Sequence, residues 1–190
     1  MTIIGLVGNK GVGKDTVADY LVKHNFHKIA FADVLKKAIK VLFNWSNEEL
    51  NGSNKEVIDE TWNVAPREIL QLIGTECLRD IISPKIDTSI TFNGVTKEFS
   101  FHIKRLYLNM KKLLETTDNI VISDIRFQDE LDFVHFIGGI VIKVDRNVET
   151  NQYNQHKSEN NINKLKDIDS IINNNSSLVD LHENIDLVLI

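Results

Sequence analysis

The chain has 190 residues, 42% of them apolar and 26% charged, with a formal net charge of −5. That is enough apolar material for one domain's core, and the acidic balance excludes a global basic field that would recruit nucleic acid. A single cysteine, Cys77, excludes a disulfide framework and a cysteine-based zinc site.

Thr2-Ile3-Ile4-Gly5-Leu6-Val7 is a short β-branched run, and Gly8, Gly11 and Gly13 follow it. The pattern predicts a buried strand, a phosphate-type loop and then a helix whose apolar face is Val17, Ala18, Leu21 and Val22. His27 to Ala32 reads as a second strand, with Asp33 as the N-cap of a helix carrying Leu35, Ala38, Ile39 and Leu42. The polar stretch 44–65 resists assignment beyond a turn at Asn51-Gly52-Ser53-Asn54. Pro66 suits the first position of a helix running to Ile82. Asn93-Gly94 inside Thr91–Thr96 predicts a hairpin, and Lys104 to Glu115 has helical spacing.

Ile120-Val121-Ile122-Ser123-Asp124 reads as a buried parallel strand ending in an acid. A helix from Phe127 to Ile137, ended by Gly138-Gly139, leads into a strand from Ile140 to Val144. Residues 147–167 are rich in Asn and Lys and read as a loop or lid. Asp169 to Asn173 forms a last strand, and Ser176 or Ser177 caps a helix beginning at Leu178. Strands alternating with helices predict a three-layer α/β fold with a mostly parallel sheet and helices on both faces. Ligand sites in such sheets gather at the carboxyl ends of strands, where Gly8, Asp124 and Asp145 fall. No run approaches ~18 apolar residues, and the N-terminus lacks a signal-peptide pattern. The expected location is therefore cytoplasmic, with neither a membrane nor a nucleic acid as partner.

The sharpest motif is Gly8-Asn9-Lys10-Gly11-Val12-Gly13-Lys14-Asp15-Thr16, a G-x-x-x-x-G-K loop between strand and helix. Glycines let the backbone wrap a phosphate, and successive N–H groups at a helix N-terminus then face the anion. Lys14 adds a mobile positive charge for the β- and γ-phosphates. Asp15 stands where Ser or Thr is usual. It either approaches Mg²⁺, directly or through water, or is a favourable charge in the first helical turn. Thr16 offers a hydroxyl and an N–H to phosphate.

Other polar residues carry two readings each. Asp124 is either an acid near Mg²⁺ or the N-cap of the Phe127 helix. Arg126 clamps an acceptor or stabilises transferring charge, or else forms a surface ion pair. Lys10 faces a second phosphate or is solvated. Arg67, Gln71 and Thr75 form an i, i+4, i+8 stripe that lines a pocket or is the wet face of the helix. Arg146 belongs to a charged lid over nucleotide or to an exposed loop. Cys77 reads as core. With 17 Lys against 5 Arg and with Ile and Asn abundant, the composition has the bias of an AT-rich coding sequence. Each arginine then marks a place where a planar fork is wanted. Arg67, Arg126 and Arg146 have such assignments, whereas Arg79 and Arg105 have none.

Together the loop at 8–16, Gln71 with Gly74-Thr75, Asp124-x-Arg126-Phe127-x-x-Glu130, Gly138-Gly139 and His156-x-Ser158-Glu159 resemble a known family. They match, in order and spacing, the deoxynucleoside monophosphate kinases of tailed phages and large DNA viruses, from residue 2 to about residue 180. The resemblance implies a single P-loop NTPase-type kinase domain over 1–190, with an acceptor-binding region near 33–115 and a lid near 146–165. It implies ATP and Mg²⁺, with Gly11, Gly13, Lys14, Asp15 and Thr16 holding ATP. Lys10, Lys36, Arg67 and Gln71 would face the monophosphate acceptor, Thr75 would lie on the same stripe, and Arg126 would sit near the transferring phosphate. The implied catalytic set is Lys14, Arg126 and Arg67, with Asp15 and Asp124 toward Mg²⁺ and Arg146 in the lid. The expected partners are ATP and a deoxynucleoside monophosphate, and the expected assembly is a monomer or homodimer, in a host cytoplasm if the protein is viral. The competing expectations are a P-loop kinase for another phosphorylated small molecule and a nucleotide-binding module without turnover.

Overall fold

The computed structural model describes residues 1–147 and 161–189. In chain order the elements are β1 (Thr2–Val7), α1 (Lys14–Lys23), β2 (His27–Ile29), α2 (Ala32–Phe43), α3 (Pro66–Gln71), β3 (Ser89–Phe92), β4 (Val95–Glu98), α4 (Phe101–Leu113), β5 (Asn119–Ile125), α5 (Gln128–Phe136), β6 (Ile140–Asp145), β7 (Ser170–Asn173) and α6 (Leu178–Leu189). The chain divides into two compact units, Met1–Ala30 with Leu108–Ile190, and Phe31–Tyr107.

The first unit is built on a five-stranded parallel sheet of order β2-β5-β1-β6-β7. Central β1 and its neighbours β5 and β6 are apolar almost throughout because both their faces are covered. On one face, Ile4, Leu6, Val121, Ile142, Val144 and Ile172 pack with Val17, Ala18 and Leu21 of α1 and with Leu181 and Ile185 of α6. The other face receives α5. A Cβ built on Gly5, in the middle of β1, would strike Ile125 Cδ1 and lie 3.2 Å from Val134 Cγ2 of α5. A glycine in a strand interior marks a close approach of this kind. Helix, sheet and helix make the expected three-layer α/β fold.

Several boundaries differ from expectation. β2 ends at Ile29 because the chain turns into α2 at Ala32. Asp33 is therefore inside the first turn of α2 and does not cap it; Phe31 holds the N-cap position. The Asp33 charge still complements the helix dipole. Val22, Ala38 and Leu42 are exposed, so both apolar stripes are narrower than the spacing suggests. The Lys104 helix starts earlier, at Phe101. At α6 the expected cap is present: the Asp180 N–H donates to Ser177 Oγ at 3.2 Å, and the Ser177 N–H donates to Asp180 Oδ2 at 3.1 Å.

In the second unit, α3 continues as π-helical turns over Leu72–Ile82. Leu35, Ile39, Trp45 and Leu50 form its core, with Ile69 and Leu78 packed against them. The stretch 44–65 is ordered by its tryptophans. Trp45 Nε1 donates to Asp59 Oδ2 at 3.0 Å, and Trp62 Nε1 donates to the Phe43 carbonyl at 3.0 Å. The hairpin β3–β4 turns at Asn93 and Gly94, whose φ values of 48° and 80° suit a type I′ turn. Cys77 is half-buried rather than core. Among the described residues no helix is long and apolar enough to cross a membrane.

Candidate active site

The strongest candidate site begins where β1 gives way to the glycine loop. The Lys14 side chain folds back over that loop: its Nζ donates to the Gly8 carbonyl at 2.7 Å and to the Asn9 carbonyl at 2.8 Å. This holds a full positive charge at the mouth of the loop. α1 starts at Lys14 with Gly13 as its N-cap. Gly13 has no side chain to accept a first-turn N–H, so these donors suit an external anion.

Asp15 lies in the first turn of α1 and is exposed. Its Oδ1 sits 2.9 Å from Lys28 Nζ, which also holds Asp19 Oδ1 at 2.9 Å. Burial alone would lower the Lys28 pKa, but the two carboxylates outweigh it and leave the ammonium raised. Thr16 and Lys10 are exposed on the same loop-to-helix segment.

Asp124 stands near the end of β5, next to β1. The two strands pair Gly5 with Ile122 but Val7 with Ile125, so β5 carries an extra residue at Ser123-Asp124. A bulge of this kind re-aims a side chain at a sheet rim. α5 has its N-cap at Phe127, which overturns the reading of Asp124 as that cap. Arg126 follows β5 directly. Its N–H donates to Glu130 Oε2 at 2.8 Å, and the Phe127 N–H reaches the same oxygen at 3.2 Å. The buried Glu130 carboxylate thus fixes the turn that carries Arg126.

The first unit therefore brings the loop, Lys14, Asp124 and Arg126 to the carboxyl ends of adjacent strands. The second unit carries the other predicted residues. Lys36 Nζ donates to Asn51 Oδ1 at 2.7 Å, and Arg67 Nη1 pairs with Glu56 Oε1 at 2.8 Å. Gln71 ends α3 and is half-buried, while Thr75 is buried in the π-helical turns. The stripe Arg67-Gln71-Thr75 is therefore not a wet face along its length. Arg146 follows β6 and is exposed. Residues 148–160 of the expected lid, with His156, Ser158 and Glu159, lie outside the described residues.

Sequence reasoning missed Lys28, a plain lysine on a short strand with no motif around it. Glu130 is legible in sequence only as part of a motif, because Phe127 at the N-cap has no side-chain acceptor and so spells no capping box. Among the described residues no group of three or more His, Cys, Asp or Glu could hold a metal alone. Mg²⁺ does not require such a cage, because it takes one or two carboxylates, water and substrate phosphates. Asp124 and Asp15, on segments that adjoin the glycine loop and the carboxyl end of β5, are of the type that donor set needs.

A family model described as deoxynucleotide monophosphate kinase matches residues 47–185. A putative deoxynucleotide monophosphate kinase of Acanthamoeba polyphaga mimivirus is 36% identical, over 97% of this chain and 94% of that protein. The chain belongs to the deoxynucleotide monophosphate kinase family. As a family member it is also similar to the dephospho-CoA kinase of Fusobacterium nucleatum, at 25% identity over 97% of this chain and 95% of that one. The solved dephospho-CoA kinase from Campylobacter jejuni shares the fold, with a TM-score of 0.51 and 15% identity, covering 99% of this chain and 95% of that one. The family match begins after the glycine loop, so the loop's geometry and the family match are separate supports for a nucleotide kinase.

Proposed function

We propose that the protein transfers the γ-phosphate of ATP to the phosphate of a deoxynucleoside monophosphate, giving ADP and a deoxynucleoside diphosphate. The observation that carries this reading is the Lys14 ammonium bound to the Gly8 and Asn9 carbonyls at the head of α1, in a chain of this family. The loop N–H groups and Lys14 bind the β- and γ-phosphates, and Thr16 adds a hydroxyl. Asp124 and Asp15 would hold Mg²⁺ or its water, and the ion would supply neutralising charge there. Lys10, Lys36, Arg67, Gln71 and Thr75 recognise the acceptor, and Arg126, Arg67 and Arg146 gather phosphate charge. An acceptor phosphate oxygen forms the new bond as the bond from the γ-phosphorus to its bridging oxygen breaks. That oxygen is already ionised, so no general base is required, and positioning and electrostatics supply the catalysis.

A relative named dephospho-CoA kinase favours one alternative acceptor, dephospho-CoA. The test is a product assay with Mg·ATP over all eight nucleoside monophosphates and dephospho-CoA. Phosphorylation of a deoxynucleoside monophosphate is expected. Product from dephospho-CoA alone would establish the alternative, and no product with any acceptor would sink both. Lys14→Ala should cut turnover by about 100-fold or more with an unchanged melting temperature.

A further inference from the structure

We infer that Asn174 is a positioning residue of the glycine loop, orienting the Val12–Gly13 peptide so that the Gly13 N–H faces the nucleotide's phosphates. The inference rests on the loop being a phosphate site, as proposed above. Asn174 directly follows β7. Its own N–H donates to the Asp145 carbonyl at 2.7 Å, which carries the β6–β7 pairing one residue further and fixes the backbone. From there its side-chain Nδ2 donates to the Val12 carbonyl at 2.8 Å, in a buried setting and across 162 residues of sequence. Asn174 is 9% exposed and Val12 is 2% exposed.

A trans peptide is rigid, and its C=O and N–H point in opposite directions. Holding the Val12 carbonyl against Asn174 therefore turns the Gly13 N–H away from Asn174. Left alone, this peptide has little to hold it. Gly11 and Gly13 flank Val12 with φ values of +81° and +103°, and glycine moves readily between such conformations and ordinary ones. Gly13 also faces Asn174 so closely that a Cβ there would strike Nδ2. The amide thus fills the space where Gly13 has no side chain. Only a donor serves here. Aspartate in the same shape would set a carboxylate against a carbonyl oxygen, and alanine would leave that buried oxygen unpaired. Fixing the donor before the nucleotide arrives removes an ordering cost from phosphate binding.

The test compares wild type, Asn174→Ala, Asn174→Asp and Asn174→Ser by calorimetric titration with ADP and with adenosine, alongside the amide NMR signal of Gly13. Asn174→Ala should weaken ADP about tenfold and leave adenosine within about twofold, because only the phosphates use the Gly13 N–H. Asn174→Asp should weaken ADP at least as much. Serine, a shorter donor, should fall between and stands in if the alanine variant does not fold. The KM for ATP should rise while the KM for the acceptor stays put, and the Gly13 amide should shift and broaden. Equal ADP affinity in wild type and variants, or equal loss of ADP and adenosine, overturns the inference. If wild type itself binds no ADP, the phosphate-site reading fails instead, and an unchanged Gly13 signal in the variants then overturns the clamp separately.

Discussion

Glu130 is the clearest case of one side chain shaping a segment of the candidate site. It is 4% exposed, and its Oε2 accepts the N–H groups of Arg126 and Phe127. Removing it leaves two donors at a helix start without this acceptor. Glu130→Ala should lose about 1–3 kcal/mol in a urea denaturation series, while Glu130→Gln, which still offers a carbonyl oxygen, should lose less. If Arg126 acts on phosphate as proposed, turnover should follow the same order, with alanine slower than glutamine. Asp15 gives the opposite lesson. Its type and position suggest metal or dipole, yet its carboxylate pairs with the Lys28 ammonium at 2.9 Å. A bound Mg²⁺ would have to share that carboxylate with Lys28.

Elements show where local chemistry suffices. Asn93 and Gly94 both take positive φ, so the β3–β4 hairpin follows from two adjacent residues. The same unit holds a pH-dependent tie. The Asp87 carboxyl is held at about 2, below its ordinary 3.8, by the Ser89 hydroxyl and N–H and by the Lys104 ammonium of α4. A depressed carboxyl contributes stability fully above its unfolded value and loses it as pH falls through the folded one. Wild type should therefore exceed Asp87→Asn in urea midpoint above about pH 4, and the gap should close toward pH 2. A gap that persists at pH 2 would refute the role given to this carboxyl. The bulge in β5 shows the limit of local reading. Ile120 to Asp124 looks like a regular strand in sequence, and only pairing with β1 reveals the extra residue at Ser123-Asp124.

At the scale of the whole molecule, parallel strands set the site. Because β1 and β5 run the same way, the glycine loop, Asp124 and Arg126 leave the sheet at its carboxyl end. If nucleotide binds at that end as proposed, it must stabilise the folded chain by mass action. Free ADP at a hundredfold excess over its dissociation constant contributes about 2.7 kcal/mol. For a chain of this size that is a rise in melting temperature of about 5–10 °C. Lys14→Ala should abolish the rise in a thermal scan, and a rise that survives in the variant would place ADP elsewhere.

The sequence by itself determined the pieces whose causes are local. Glycine spacing defined the loop, apolar periodicity defined the strands and helices around it, Asn93-Gly94 placed a turn, and Ser176-Ser177 marked a cap that the structure assigns to Ser177. The loop and the later Asp-x-Arg also pointed to the family that the comparisons support. Tertiary structure decided which side chains meet. Lys28 reaches Asp15 and Asp19 because α1 lies beside the edge strand β2. Asn174 reaches Val12 across 162 residues because β7 and β1 flank β6 in one sheet. Such partners depend on strand order and register, which arise from burying the whole sheet at once, and no window of neighbouring residues encodes them.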